Sequence, residues 1–239
     1  MTNTALDDEL IRGRNPCRIK GADKEHARER PVASVEQVYA IAGASKPWYR
    51  VLVLTAAMTG LRWGELVALR RRHLDLDAGF VDVRAAVVED GTEDGTDLTV
   101  DRTKSEAGVR VVGLPAVLVP ELRAHLARWS EKGPDGRVFV GPKGVTPRRS
   151  NFNRAWSASL VRAAADGTPL PEGLHFHDLR QTANEFAAGS ASVKELMART
   201  GHSTARAALI YQRARRDRER EIAATVSARV EQALGKRAK

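Results

Sequence analysis

Cysteine is nearly absent from this chain: Cys17 is the only one in 239 residues. No internal disulfide can form, which fits a reducing compartment. No apolar run approaches the ~20 residues that a membrane-spanning helix requires. Met1 to Leu10 is polar and acidic and has no hydrophobic stretch of a secretory signal. A cytoplasmic protein without a membrane partner is expected. Internal repeats and low-complexity tracts are lacking too. Gly141-Pro142-Lys143-Gly144 does not have the Gly-Lys-Ser/Thr spacing that cradles a nucleotide phosphate. The alternate histidines of His175-Phe176-His177 do not share a helix face, and no Cys/His cluster follows them, so neither metal nor other cofactor is expected.

What is present is an ordinary globular composition with a strong charge bias. Hydrophobic residues make up 42% and charged residues 29%, which excludes a disordered chain. The length suits one large domain, or a domain with a short extension. The formal net charge of +9 points to a polyanionic partner, and nucleic acid is the commonest.

Residues 1–30 are polar and punctuated by Gly13, Pro16 and Gly21, as in a linker. Ser34-Val35-Glu36-Gln37 has the form of a capping box opening a helix through about Ala42. Pro47 to Met58 reads as a buried helix ended by Thr59-Gly60, and Trp63 to Arg70 as a third. Gly79 to Glu89 alternates and is Val-rich, so it predicts a strand. Leu98 to Arg102 and Val109 to Val112 predict two more, joined by a hairpin loop at 103–108. Glu89 to Asp97 is an acidic turn that should face away from a polyanion. Further helices are expected at Pro115–Ser130, Asn151–Ala165, His177–Ala188, Ser192–Arg199 and Asp217–Leu234, with a loop over Gly133–Arg149. The fold class that follows is mainly α with a small three-stranded antiparallel β-sheet.

The chemistry is concentrated in a few short motifs. His177-Asp178-Leu179-Arg180 sets His and Arg three residues apart on one helix face. Gly201-His202-Ser203 follows, and Tyr211 stands nine positions beyond His202. Far upstream, Thr59-Gly60-Leu61-Arg62-Trp63-Gly64-Glu65-Leu66 supplies a second arginine at a helix mouth. A guanidinium binds two phosphate oxygens at once and stays charged. An imidazole can donate to a phosphate oxygen or accept a phenolic proton. Tyr211, with an ordinary pKa of ~10, needs neighbouring positive charge to act as a nucleophile. Lys104, on the hairpin loop, can protonate a leaving oxygen. Together these groups can hold a phosphodiester and attack it by placement and charge alone.

These motifs resemble the catalytic domain of the tyrosine recombinases, the phage-integrase family, and especially the integrases of actinobacteria and their phages. The resemblance runs from about Pro31 to about Ile222. It assigns Arg62 to the first arginine motif with Glu65 as its supporting acid. Lys104 in Arg102-Thr103-Lys104-Ser105, followed by Arg110-Val111-Val112, is assigned to the β-hairpin lysine. His177 and Arg180 match the His-x-x-Arg motif, His202 the Gly-His-Ser motif, and Tyr211 the nucleophile. Gln181 departs from the histidine that family members often carry there. The resemblance implies attack of Tyr211 on double-stranded DNA, a 3′-phosphotyrosyl link, a Holliday junction, and a homo-tetramer on paired sites at the nucleoid. An accessory DNA-bending or directionality factor is also implied. It reads residues 1–30 as the linker and tail of a missing core-binding domain, 31–222 as the catalytic domain, and 223–239 as a C-terminal helix and basic tail. Two other outcomes stay open: a truncated DNA-binding remnant that does not recombine, and a type IB topoisomerase-like relaxing enzyme. Ile222, Val226, Val230 and Leu234 form a stripe that can dock on a neighbouring protomer or pack on its own domain.

Overall fold

In the computed structural model, which describes residues 30–89, 98–102, 109–142, 144–187, 195, 198–199 and 212–235, the chain is mostly helical. Ser34 opens the first helix. Its hydroxyl accepts the Gln37 backbone N–H at 3.3 Å, and its own N–H donates to the Gln37 side chain at 2.8 Å. This is the reciprocal cap the sequence announces. Helix α1 (Val35–Ala44) follows, and α2 (Pro47–Thr59) starts with Pro at its first turn, where an absent N–H leaves no bond unmade. The α2 residues from Val51 to Thr59 are all buried, as a run with hardly any polar residues demands. Gly60, at φ 71°, ends α2 in the left-handed region that other residues rarely adopt. The short α3 (Trp63–Ala68) and a 3₁₀ turn (Arg71–His73) come next.

Five strands follow: β1 (Leu74–Asp75), β2 (Phe80–Val83), β3 (Ala85–Glu89), β4 (Leu98–Arg102) and β5 (Arg110–Gly113). A three-stranded antiparallel sheet is present, in the order β1-β2-β5, with β3 and β4 in a separate antiparallel ribbon. The expected single strand Gly79–Glu89 is therefore broken at Arg84. Its first half pairs with β5, Val81 opposite Val112, and its second with β4, Val87 opposite Val100. The expected pairing of Leu98–Arg102 with Val109–Val112 gives way to this arrangement. Apolar residues occupy every odd position from Val81 to Val87 on both sides of Arg84, so a period of two does not reveal the change of partner. The ribbon lies directly on α3. A Cβ on Gly64 would sit 2.5 Å from the Val87 carbonyl oxygen, so only glycine allows the approach.

Further elements among the described residues are helices α4 (Leu118–Arg128), α5 (Arg149–Ala165), α6 (Leu179–Ala187) and α7 (Gln212–Gly235), with a 3₁₀ turn (Phe176–Asp178) leading into α6. The core surrounds α2 and takes in Ile41, Leu66, Val81, Val112, Phe139, Leu179 and others. Ile222, Val226 and Val230 are buried in the same core and Leu234 packs against it, so the apolar stripe of α7 faces its own domain. That helix runs through residues 222 and 223 without a break. The described residues from Pro31 onward belong to one compact unit.

Candidate active site

The end of α2 and the start of α3 bring the first charged group into place. Once Gly60 has turned the chain, Arg62 becomes the N-cap of α3. Its backbone N–H donates to Glu65 Oε2 at 2.8 Å and its Nη1 to Glu65 Oε1 at 3.0 Å. A carboxylate at the third helical position thus fixes both the backbone and the side chain of Arg62. The Arg62 side chain stays 39% exposed while Glu65 is sealed inside.

A second arginine, absent from the set of expected site residues, reaches Glu65 from β5. Arg110 donates from Nη1 to Oε1 at 2.9 Å and from Nη2 to Oε2 at 2.8 Å, with its side chain wholly buried. Its Nε donates to the Arg199 carbonyl at 2.9 Å. The signal for it lies in strand parity: Arg110 and Val112 point to the same face, which is the buried one. A charge at an inward position needs a partner. Burial alone would raise the Glu65 carboxyl. The hydrogen bonds and charge of Arg110, then the backbone N–H and charge of Arg62, outweigh burial and hold it below its ordinary value of 4.5.

Arg180 enters from the other side. Asp178 Oδ2 accepts the His175 backbone N–H at 2.8 Å and starts the 3₁₀ turn. His177 lies in that turn and Arg180 in the first turn of α6, so the two do not share one regular helix as the sequence spacing suggested. His177 is exposed; Arg180 is buried and donates from Nη1 to the Gly60 carbonyl at 2.6 Å. The residue that ends α2 therefore also anchors Arg180. Burial, then the charges of Arg62 and Arg110, lower the Arg180 guanidinium to about 9, with Glu65 pulling the other way. It remains cationic at neutral pH.

Aromatic packing fixes these two entry points against each other. Trp63 lies 4.5 Å from Phe152, and Phe152 lies 4.6 Å from Phe176, ring centroid to centroid. Trp156 closes on Phe176 at 5.5 Å. The residues beside Arg62 and His177 are thus wedged on α5. A cavity of about 380 Å³ opens here, lined by Trp63, Arg149, Asn153, His175, His177 and Arg180 among others. Among the described residues, no group of three or more His, Cys, Asp or Glu side chains is placed to hold a metal ion.

Arg62, Glu65 and Arg180 are thus brought together, with His177 on the adjoining cavity. Lys104, His202 and Tyr211 lie outside the described residues. The described residues on either side of the last two are tied to one another. Arg199, fully buried, donates to Glu219 Oε2, and through Nη2 to the carbonyls of Met58 at 3.2 Å and Gly113 at 3.1 Å. Arg199 precedes His202, and Glu219 follows Tyr211. Sequence reading missed both members of this pair. Arg199 closes the expected helix Ser192–Arg199, and Glu219 is embedded in a charged run that reads as a solvated face.

Residues 32–218 match the phage integrase family. The chain is 40% identical over 228 residues to the putative prophage phiRv2 integrase of Mycobacterium tuberculosis (strain ATCC 25618 / H37Rv), covering 94% of this chain and 58% of that protein. It is 34% identical over 230 residues to the integrase of Mycobacterium phage D29, again covering 94% of this chain and 58% of the relative. The chain spans little more than half the length of these curated relatives. Among solved structures, its fold is similar to the Tn1549 transposon integrase in complex with transposon right end DNA. The TM-score is 0.68 at 18% identity, over 98% of this chain and 75% of that one. It is also similar to the lambda integrase tetramer bound to a Holliday junction, with a TM-score of 0.56 at 16% identity, over 86% of this chain and 56% of that one.

Proposed function

Because this chain belongs to the phage integrase family, we propose that it is the catalytic part of a site-specific DNA recombinase that cuts and rejoins duplex DNA. The observation that carries this reading is the pairing of Arg62 and Arg110 with one carboxylate, Glu65, next to Arg180, which is tied to the Gly60 carbonyl two residues before Arg62 and feels the charge of all three. Three guanidiniums against one carboxylate give net positive charge beside a cavity. A phosphate diester is the anion that such a site suits.

In the proposed reaction Arg62 and Arg180 grip the non-bridging oxygens of the scissile phosphate. Glu65 holds Arg62 in place. The Tyr211 phenol attacks phosphorus, its proton passing to a neutral imidazole, His177 or His202. The bond to the 5′ oxygen breaks, and Lys104 protonates that oxygen as it leaves. The ester energy is kept in the 3′-phosphotyrosyl link, so the reaction needs no nucleotide hydrolysis. The 5′ hydroxyl of a partner strand then reverses the step and displaces Tyr211. Two such rounds through a Holliday junction, in a homo-tetramer on paired sites, exchange the duplexes at the nucleoid. A DNA-bending or directionality factor is a further proposed partner.

A nicked suicide duplex spanning the junction between the encoding element and its host DNA tests this reading. The intact chain should trap a covalent protein–DNA complex, and Tyr211→Phe should trap none. Covalent trapping without recombinants favours a remnant. Relaxation of any supercoiled plasmid, whatever its sequence, favours a topoisomerase. No trapping on any duplex removes the cleavage reading.

A further inference from the structure

The Glu65 carboxylate is saturated. Oε1 accepts Nη1 of Arg62 and Nη1 of Arg110; Oε2 accepts the Arg62 backbone N–H and Nη2 of Arg110. Arg62 and Arg110 each supply two of these bonds. With all four in place, the carboxylate cannot rotate without breaking several bonds at once. The Arg110 side chain is wholly buried and that of Glu65 is 3% exposed, so no water competes for either. A buried ion pair stabilises a fold poorly compared with an apolar pair of the same volume. Its retention in a Val-rich strand calls for another reason.

We propose that Arg110 is a positioning residue for DNA strand cleavage. Its fork locks Glu65, and Glu65 locks Arg62. Its Nε simultaneously holds the Arg199 carbonyl, two residues ahead of Gly201-His202. One buried side chain therefore sets Arg62 and the Arg199 backbone in a common frame. This rests on the cleavage reading above. Arg110 has no solvent-exposed side-chain surface and acts on the phosphate only through these neighbours. It also adds a positive charge that is felt at Arg180.

The test uses the full chain with Arg110→Lys, which keeps the charge and loses the fork. Single-turnover cleavage of the nicked duplex is measured at saturating DNA, together with DNA affinity and thermal unfolding. Arg110→Lys should cleave about 100-fold more slowly, the cost of displacing a reacting group by ~1 Å, with DNA affinity nearly unchanged. Combined with Arg62→Lys it should add little further loss, because both changes disable one unit. Replacing the scissile phosphate by a methylphosphonate removes one non-bridging charge. That should shrink the deficits of Arg110→Lys and Arg62→Lys together, and leave that of a merely destabilised core variant, Val112→Ala, as it was. Wild-type cleavage by a folded Arg110→Lys, multiplying deficits in the double variant, or a deficit blind to the methylphosphonate would each overturn the proposal. If the wild-type chain forms no covalent complex, the cleavage reading falls by itself. The Arg62 Nε–H signal by nuclear magnetic resonance then judges the locking: ordered in wild type and mobile in Arg110→Lys supports it, and equal order in both overturns it.

Discussion

The Arg110–Glu65 pair has side chains that are 0% and 3% exposed, and the Arg123–Asp77 pair has side chains that are 54% and 93% exposed. Both are arginine–carboxylate contacts. In the interior, each member has lost its water and must find every hydrogen bond in the protein, so geometry is dictated. On the surface, water and salt replace the partner at small cost. Arg199–Glu219 belongs with the first kind, and Arg84–Asp82 and Arg72–Asp135 with the second. The chain's large positive charge is therefore of two sorts. The surface arginines supply a diffuse field, and a few buried ones supply fixed directions.

Substitutions sharpen that contrast. The largest effect is expected from Arg199→Met, which strands Glu219 in the interior and removes donors from the Met58 and Gly113 carbonyls. It should destabilise the fold by about 3–5 kcal/mol, read from urea unfolding. Glu65→Gln comes next. It keeps one acceptor but loses the charge that both arginines answer, at about 1.5–3 kcal/mol. Its pH signature is separate. The Glu65 carboxyl is held below its ordinary 4.5 in the folded state. The stability it contributes is thus complete above that ordinary value and is lost as pH falls through the lowered one. Glu65→Gln should flatten this part of acid unfolding and leave the alkaline side as it was. The smallest effect is expected from Arg123→Ala, ~0–1 kcal/mol and vanishing in high salt. A surface variant that costs as much as Arg199→Met would erase the distinction.

Local signals in the sequence were read well because their causes are local. Ser34 with Gln37, Pro47 at a first turn, and Gly60 at a left-handed helix end each depend on a few neighbouring residues. Arg62, Glu65, His177 and Arg180 were legible as motifs; His177 and Arg180 line one cavity, and Arg62 and Glu65 are paired with each other. What escaped was non-local. The change of strand partner at Arg84 is decided by β5 and by α3 beneath Gly64, both distant in sequence. Arg110 and Arg199 look like ordinary arginines in a chain with 39 basic residues. Only the fold shows that they point inward. The docking or self-packing of the α7 stripe was likewise open until Ile222, Val226 and Val230 were found in the core.

Arg199 and Glu219 grip each other in the interior although 20 positions separate them along the chain. A buried ion pair of this kind acts as a clasp, because neither end can leave without stranding the other's charge. Local opening around Arg199 and around Glu219 is therefore coupled, and amide hydrogens beside the two should exchange in step, as one cooperative unit.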